Sequence, residues 1–414
     1  MLARLARPRA LVAQVPGPGR RCRALGSAAG GVRVPTLELE DLLPGAPLTA
    51  RASALEALRC ATSDSPGFFA LRVPRDVLAA ESIAQTYALS RQFFSLPAEA
   101  KRRYHVSRDE RGRGWTGSGE EPAYELGTRS AVEAYDIGRE LCVGGSNGDP
   151  AMGPNVWPRD ELPEFELRLR ALYDSMTVIS QCLFGAFAES LGLPEDSFRK
   201  HATENSRATM RLLRYPPQVR ADGHPSLPPP FKKAGERWPM VAAAAAGAGA
   251  GGNVGIGAHT DFECFTMMHQ SAPGLQLRPL GPAGSPGAEW IDAPPTPPDT
   301  LIVIVGDMLE RFSNGTLCAT EHRVPQTDWE RFSLIQFNGL ASDAIVSPLP
   351  QFGPPRYSTV TQGEHMSNVY QSLNAGLGAQ GTAQWNGGAQ AAPGASPDWQ
   401  PYDYKSGHSH TREP

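Results

Sequence analysis

His259 and Asp261 stand two apart in "GIGAHTDFECFTMMHQ" (255–270), a run that otherwise reads as a buried strand. Side chains i and i+2 of a strand share a face roughly 6.5 to 7 Å apart, so an imidazole and a carboxylate placed this way can close on one metal ion. His322, in "TEHRV", is a third donor 61 residues past Asp261, on a later strand introduced by the "SNG" turn at 313–315. Two histidines with one carboxylate leave coordination positions open and suit non-haem Fe(II). Structural zinc fits less well, because it is usually closed by four protein ligands.

Not every polar residue in these runs belongs to that set. Ten extended residues would carry His269 roughly 33 Å from His259, so it is expected to be structural. "RFS" follows nine residues beyond His322 and puts Arg331 and Ser333 on one strand face. A guanidinium with a hydroxyl beside it holds a carboxylate bidentately, which fits an oxo-acid co-substrate. Phe337, six residues after Arg331 and of the same parity, should point inward near the metal, against substrate or as core packing.

The elements that must carry these residues are legible in outline. "GFFALRVP" (67–74) has the aromatic and β-branched content of a strand. A helix follows with Val77, Ile83, Tyr87, Phe93 and Phe94 as its apolar stripe, broken at Pro97. A second spans 161–191, where Phe165, Leu169, Leu172, Met176, Ile179, Leu183 and Phe187 recur every three or four residues before Gly192 and Pro194 stop it. After about residue 205 the texture turns to short strands punctuated by Gly and Pro: "TMRLLRYPP", "IGAHTDFECFTMMH", "LQLRPL", "TLIVIVGDMLERF", "TLCATEHRV" and "RFSLIQFNG". Strands at that spacing predict a sandwich or jelly-roll barrel and not a parallel sheet. No repeat period is visible.

Composition excludes several function classes. The chain has 414 residues, 40% of them hydrophobic and 20% charged, enough for one large or two modest domains. A net charge of -4 gives no basic footprint for nucleic acid, and no apolar run approaches the ~20 residues that span a bilayer, so neither partner is expected. Cys22, Cys60, Cys142, Cys182, Cys264 and Cys318 form no CxxC pair and read as free thiols in a reduced compartment.

Four segments organise the chain. Residues 1–33 are rich in arginine and precede any acidic residue, and read as a transit peptide for mitochondrion or plastid or as a disordered leader of an otherwise cytoplasmic chain. Residues 34–204 are largely helical. Residues 205–373 carry the strands, with 217–253, dense in Pro, Ala and Gly, inserted as a surface loop. Residues 374–414 are low in apolar content and read as a disordered tail.

From about Val34 to Leu373 the chain resembles the 2-oxoglutarate- and Fe(II)-dependent dioxygenases of the isopenicillin N synthase-like superfamily. The matching blocks, in the family's order, are "VPTLELEDL", "GFFALRVP", "FFSLPAEAKRRY", "RGWTGSGEE", "LLRYPP", "GAHTDFECFTMM", "GLQL", "WIDAPP", "GDMLERFSNG", "EHRV" and "RFSLIQF". The resemblance implies a mostly β fold with flanking helices: a double-stranded β-helix (jelly-roll) core behind an N-terminal α/β region. It implies His259, Asp261 and His322 on iron, and Arg331 with Ser333 on the distal carboxylate of 2-oxoglutarate. Tyr215 of "RYPP" matches a tyrosine that often helps bind the same co-substrate, and Phe337 matches a position often used against substrate. Glu133 and Tyr135, in "AVEAYDIG", sit where the family's N-terminal region approaches the pocket.

The chain departs from many plant members at Leu213, where they carry Asn, so contacts on that strand are expected to differ. "HTDFECFT" is closer to microbial and algal members, thymine-hydroxylase-like ones among them. The implied activity oxidises a small organic molecule with O2, by hydroxylation, desaturation or ring closure. Succinate and CO2 are the co-products, and ascorbate serves as reductant. Two other classes stay open: an Fe(II) oxidase of the same fold that does not use 2-oxoglutarate, and a non-catalytic binding protein.

Overall fold

The computed structural model describes residues 34–378 apart from 65, 110, 122–123, 125–127, 142–151, 203–205, 219–225, 230–252 and 281–288. The expected leader, almost all of the inserted loop and the tail beyond 378 lie outside the described residues. In chain order the first half forms β1 (Thr36–Glu38), α1 (Leu39–Leu42), α2 (Leu48–Ser63), β2 (Phe68–Arg72), α3 (Ala80–Phe94), α4 (Ala98–Arg102), β3 (Gly114–Thr116), β4 (Arg129–Ser130), β5 (Glu133–Gly138), α5 (Phe165–Ser190), α6 (Asp196–Arg199) and β6 (Ser206–Tyr215). The second half forms β7 (Asn253–Val254), β8 (Ile256–His259), β9 (Phe265–Gln270), β10 (Gln276–Leu277), β11 (Ile291–Asp292), β12 (Thr300–Val305), α7 (Asp307–Phe312), β13 (His322–Val324), β14 (Arg331–Ala341), β15 (Ile345–Val346), β16 (Val360–Thr361) and α8 (Gln362–Gly378).

Two sheets make the jelly roll. The larger runs β1-β2-β12-β9-β14-β6-β5-β3 and the smaller β11-β10-β13-β8. Alternation sorts the central strands' side chains to two different cores. Phe265 and Met267 of β9, Leu301 and Val303 of β12, Phe332 and Leu334 of β14 and Met210 and Leu212 of β6 face the helices. Met268, Ile302, Ile304, Ile335, Leu213 and Tyr215, the intervening residues, join Leu275, Leu277 and Val324 of the smaller sheet's side. Both faces of the large sheet are therefore covered, which is why its strands read as continuous apolar runs.

The helical layer is anchored by α5. Its stripe from Phe165 to Phe187 is buried as the spacing predicts, and the rings of Phe184 and Phe187 sit 4.9 and 5.2 Å from that of Phe265 on β9. No helix among the described residues is long and apolar enough to cross a membrane.

Four details differ from expectation. "IGAHTDFECFTMMH" is not one strand: β8 ends at His259, five residues turn, and β9 begins at Phe265 in the other sheet. "TLIVIVGDMLERF" likewise breaks at Gly306, which ends β12 and caps α7. Helix α8 runs to Gly378, past the expected boundary at 373. Cys182, Cys264 and Cys318 are free thiols, but Cys60 is disulfide-bonded, which corrects the reading of all six as free.

Candidate metal centre

Strand pairing brings the two histidines together: His322 on β13 is the direct antiparallel partner of His259 on β8. Asp261 arrives from the turn just past β8, so the turn, and not strand alternation, aims its carboxylate. Its Oδ1 lies 3.7 Å from His259 Nε2 and 3.6 Å from His322 Nε2. One ligand atom from each residue falls within 4.8 Å of the others, the geometry of a shared ion.

The remaining polar atoms of the three residues are already occupied. His259 Nδ1 is 2.9 Å from the Gly257 carbonyl and His322 Nδ1 is 3.1 Å from that of Thr320. A carbonyl only accepts, so each Nδ1 carries the proton and each Nε2 keeps its lone pair for metal. Thr266 on β9 donates its hydroxyl to Asp261 Oδ2, leaving Oδ1 free to ligate. Burial, then the neighbouring His322, lowers the His259 pKa to about 4, keeping it in the neutral form that binds metal.

The turn itself depends on a close backbone approach. Asp307 and Met308 at the start of α7 donate their amides to the carbonyls of Asp261 and Glu263. A Cβ at Gly306 would lie 2.4 Å from the Glu263 carbonyl oxygen and 3.0 Å from that of Asp261. Glycine is required there for space, since its φ of -114° suits any residue.

Arg331 on β14 has the parity of Ile335 and Phe337, which line a cavity at the metal donors. It pairs with Tyr215 across β14 and β6 and its guanidinium lies 4.4 Å over the Tyr215 ring. The side chain is fully buried. Nη2 donates to Ser333 Oγ at 3.0 Å and to Gln270 Oε1 at 3.2 Å, while Nε and Nη1 have no hydrogen-bond partner. Among the described residues no carboxylate pairs with it. Burial lowers its pKa, the expected cost of a cation without a counter-charge. These orphaned donors suit the carboxylate end of an oxo-acid, and the open set of three metal donors suits Fe(II).

That cavity, of about 100 Å³, runs between the three metal donors and Tyr215, the residue whose ring Arg331 covers. Tyr215, Leu213, Arg211 and Thr209 line it from successive inward positions of β6, and Ile335 and Phe337 from β14. Phe337 thus faces inward as expected. His269 faces the helices instead, with its Nδ1 2.8 Å from the Tyr87 hydroxyl of α3.

Glu133 and Tyr135 are not where the resemblance put them. Glu133 is buried in a network with Lys101, Trp115 and Arg214 at 2.6, 3.0 and 2.8 Å, and Tyr135 is sealed in the helix-side core. The face of β5 toward the cavity is the alternate one: Ala134 joins the interior and Asp136 binds Arg211 through paired bonds of 2.7 and 2.7 Å. A shift of one residue exchanges the faces.

Several lining residues carried weaker signals in the sequence. Arg211 has the parity of Tyr215, and Glu263 follows Asp261 by two. Burial and then Asp261 raise the Glu263 pKa to about 8. Glu121, Tyr124, Met366 and Tyr370 come from distant segments that no local pattern links to the site. The Tyr124 ring stacks on His259 at 4.2 Å.

The comparisons agree with this geometry. Residues 210–339 match the model of the 2OG-Fe(II) oxygenase superfamily, and residues 34–160 match that of the N-terminal region of non-haem dioxygenases in morphine synthesis. The chain is similar to a 2-oxoglutarate-Fe(II) type oxidoreductase of Metarhizium rileyi, 27% identical with 80% of this chain and 89% of that protein covered. It is also similar, over a shorter stretch, to a homoarginine-6-hydroxylase of Glycine max, 27% identical with 67% of this chain and 77% of that protein covered. The fold is shared with a full-length Neurospora crassa protein whose crystal structure is in complex with alpha-KG, at TM-score 0.63 and 23% identity over 82% of this chain and 96% of that one. The chain belongs to the 2-oxoglutarate- and Fe(II)-dependent oxygenase superfamily.

Proposed function

We propose that His259, Asp261 and His322 hold Fe(II), that Arg331, Ser333 and Tyr215 hold the distal carboxylate of 2-oxoglutarate, and that the chain hydroxylates a small organic metabolite. The reading rests above all on the buried guanidinium of Arg331, two of whose nitrogens are without a partner and which stacks on Tyr215, a residue of the cavity that the three metal donors also line. An oxidase that did without 2-oxoglutarate would leave that cation unpaired. When bound, iron and 2-oxoglutarate supply O2 activation, with succinate and CO2 released and one oxygen atom delivered to substrate.

The chain's own residues position and exclude. Thr266 and the carbonyls of Gly257 and Thr320 fix the donor atoms. Arg331 and Ser333 set the depth of the co-substrate, and the apolar wall of Leu213, Met268, Leu275 and Ile335 keeps water from it. Phe337 stands beside the target bond. Residues 205–373 form the catalytic domain and 34–204 the region that walls it. The arginine-rich leader 1–33 directs the chain to mitochondrion or plastid, which a fluorescent fusion of those residues tests. Substrate and O2 are its small-molecule partners, with ascorbate as reductant.

Incubation with Fe(II), ascorbate, 2-oxoglutarate and a metabolite panel should give substrate-linked succinate and a product heavier by one oxygen atom. A product lighter by two hydrogens would replace hydroxylation with desaturation or ring closure. Absence of succinate under all conditions would overturn the proposal.

A further inference from the structure

A second cavity, of about 400 Å³, lies on the helix side of the large sheet, across β6 and β14 from the metal cavity. Alternation gives the two cavities neighbouring residues of the same strands: Thr209 and Phe337 line the first, Ala208, Gln336 and Asn338 the second. Helix α5 closes the other side with Thr177, Gln181 and Phe184, spaced as one helix face, and with Ser180. Two and four residues before Gln336, the same face of β14 carries Leu334 and Phe332, both in the apolar core. The change to polar side chains is therefore confined to the cavity.

Hydrogen bonds within this wall use its donors and leave its acceptors. Asn338 Nδ2 donates to the carbonyls of Phe265 and Gln336 at 3.1 and 2.9 Å, so its Oδ1 accepts from Gln336 Nε2 at 3.3 Å. That fixes the Gln336 amide, whose buried Oε1 is left without a partner. Gln181 Nε2 donates to the Ala202 carbonyl at 3.3 Å and Thr177 Oγ1 to that of Tyr173 at 2.8 Å, so the side-chain oxygens of both can still accept. Ser180 is buried, and its hydroxyl makes no hydrogen bond among the described residues. The charged groups do not complete the set, since Arg139 already has a partner and Asp174 is exposed. A buried acceptor without a donor is costly, and a guest rich in donors removes that cost. An anion would bring only further acceptors.

We propose that this cavity is a second small-molecule site, which takes an uncharged ligand of the primary carboxamide or urea class. The ligand's N–H groups meet the side-chain oxygens of Gln181 and Thr177 on α5 and face Gln336 on β14, and its carbonyl accepts from Ser180. The site owes nothing to iron or to 2-oxoglutarate, so it stands apart from the oxygenase reading.

Calorimetric titration of the full chain tests it, with benzamide and acetophenone as probes. The two have nearly the same shape, but the methyl ketone has no N–H to donate. The wild-type chain should bind benzamide about tenfold more tightly, the scale of one or two neutral hydrogen bonds, and should do so equally with and without Fe(II) and 2-oxoglutarate. Gln181→Met should bring benzamide down to the affinity of acetophenone, and Ser180→Leu, which fills the cavity, should abolish binding of both. Thermal unfolding of each variant shows that it is folded. Should Ser180→Leu fail to fold, Gln181→Met, on the half-buried side of α5, still decides the question. Equal binding of the two probes by the wild type, binding of neither, or a benzamide preference that survives Gln181→Met overturns the proposal.

Discussion

Thr266 shows how much of the metal centre is set by residues that do not ligate. Its hydroxyl holds Asp261 Oδ2, so the carboxylate has one orientation before metal arrives. Thr266→Val keeps shape and removes that bond, and Fe(II) affinity should fall about 10- to 100-fold while the fold persists; metal titration reads it. His269 supports a different expectation. Burial lowers its pKa to about 4 from an ordinary 6.5, so the folded chain stays unprotonated where the unfolded chain takes up a proton. Above pH 6.5 this costs nothing. Between pH 6.5 and 4 stability falls as pH falls, by up to roughly 3 kcal/mol. Metal-free His269→Gln should therefore lose less thermal stability than the wild type across that window, and equal slopes would refute the assignment.

Among the elements, the turn from β8 to β9 does most to create the site, and it is also where local pattern was least informative. "IGAHTDFECFTMMH" is apolar enough to pass as one strand because the half-buried β8 leads straight into the fully buried β9, although the two lie in different sheets. The ligand set was legible from residue type and spacing all the same, since His259 and Asp261 stay close whether strand or turn joins them. Register was not legible. Glu133 and Tyr135 of β5 fall one position away from the inward residues Ala134 and Asp136, and only pairing with β6 decides which face is which. Gly306 tests the turn directly. Gly306→Ala should push the Asp261 carbonyl away, cost about 1 to 3 kcal/mol of stability and reduce iron occupancy, with circular dichroism close to the wild type.

Taken whole, the chain closes its site with segments far apart in sequence. Helix α8 places Met366 and Tyr370 in the cavity wall, and Gln362 ties its first turn to the Leu340 amide and the Phe262 carbonyl. The buried His365 reaches Asp307 at 2.9 Å, linking α8 to the helix that supports the Asp261 turn. These long-range contacts leave no local signature, which is why composition placed the start of the tail within α8. Ending the chain at residue 361 should open the substrate end while sparing β14 and β6, so substrate KM should rise at least about tenfold with 2-oxoglutarate affinity retained. Unchanged KM would show that α8 is only a support.

The most direct measurement is equilibrium binding of 2-oxoglutarate to the anaerobic Fe(II)-loaded chain, wild type beside Arg331→Lys. The lysine keeps the charge and loses the planar fork, so co-substrate affinity should weaken roughly ten- to a hundredfold while iron content stays the same. An Arg331→Lys chain that binds 2-oxoglutarate as tightly as the wild type, or a wild-type chain that binds iron but no 2-oxoglutarate, would contradict the assignment of this interior as a dioxygenase site.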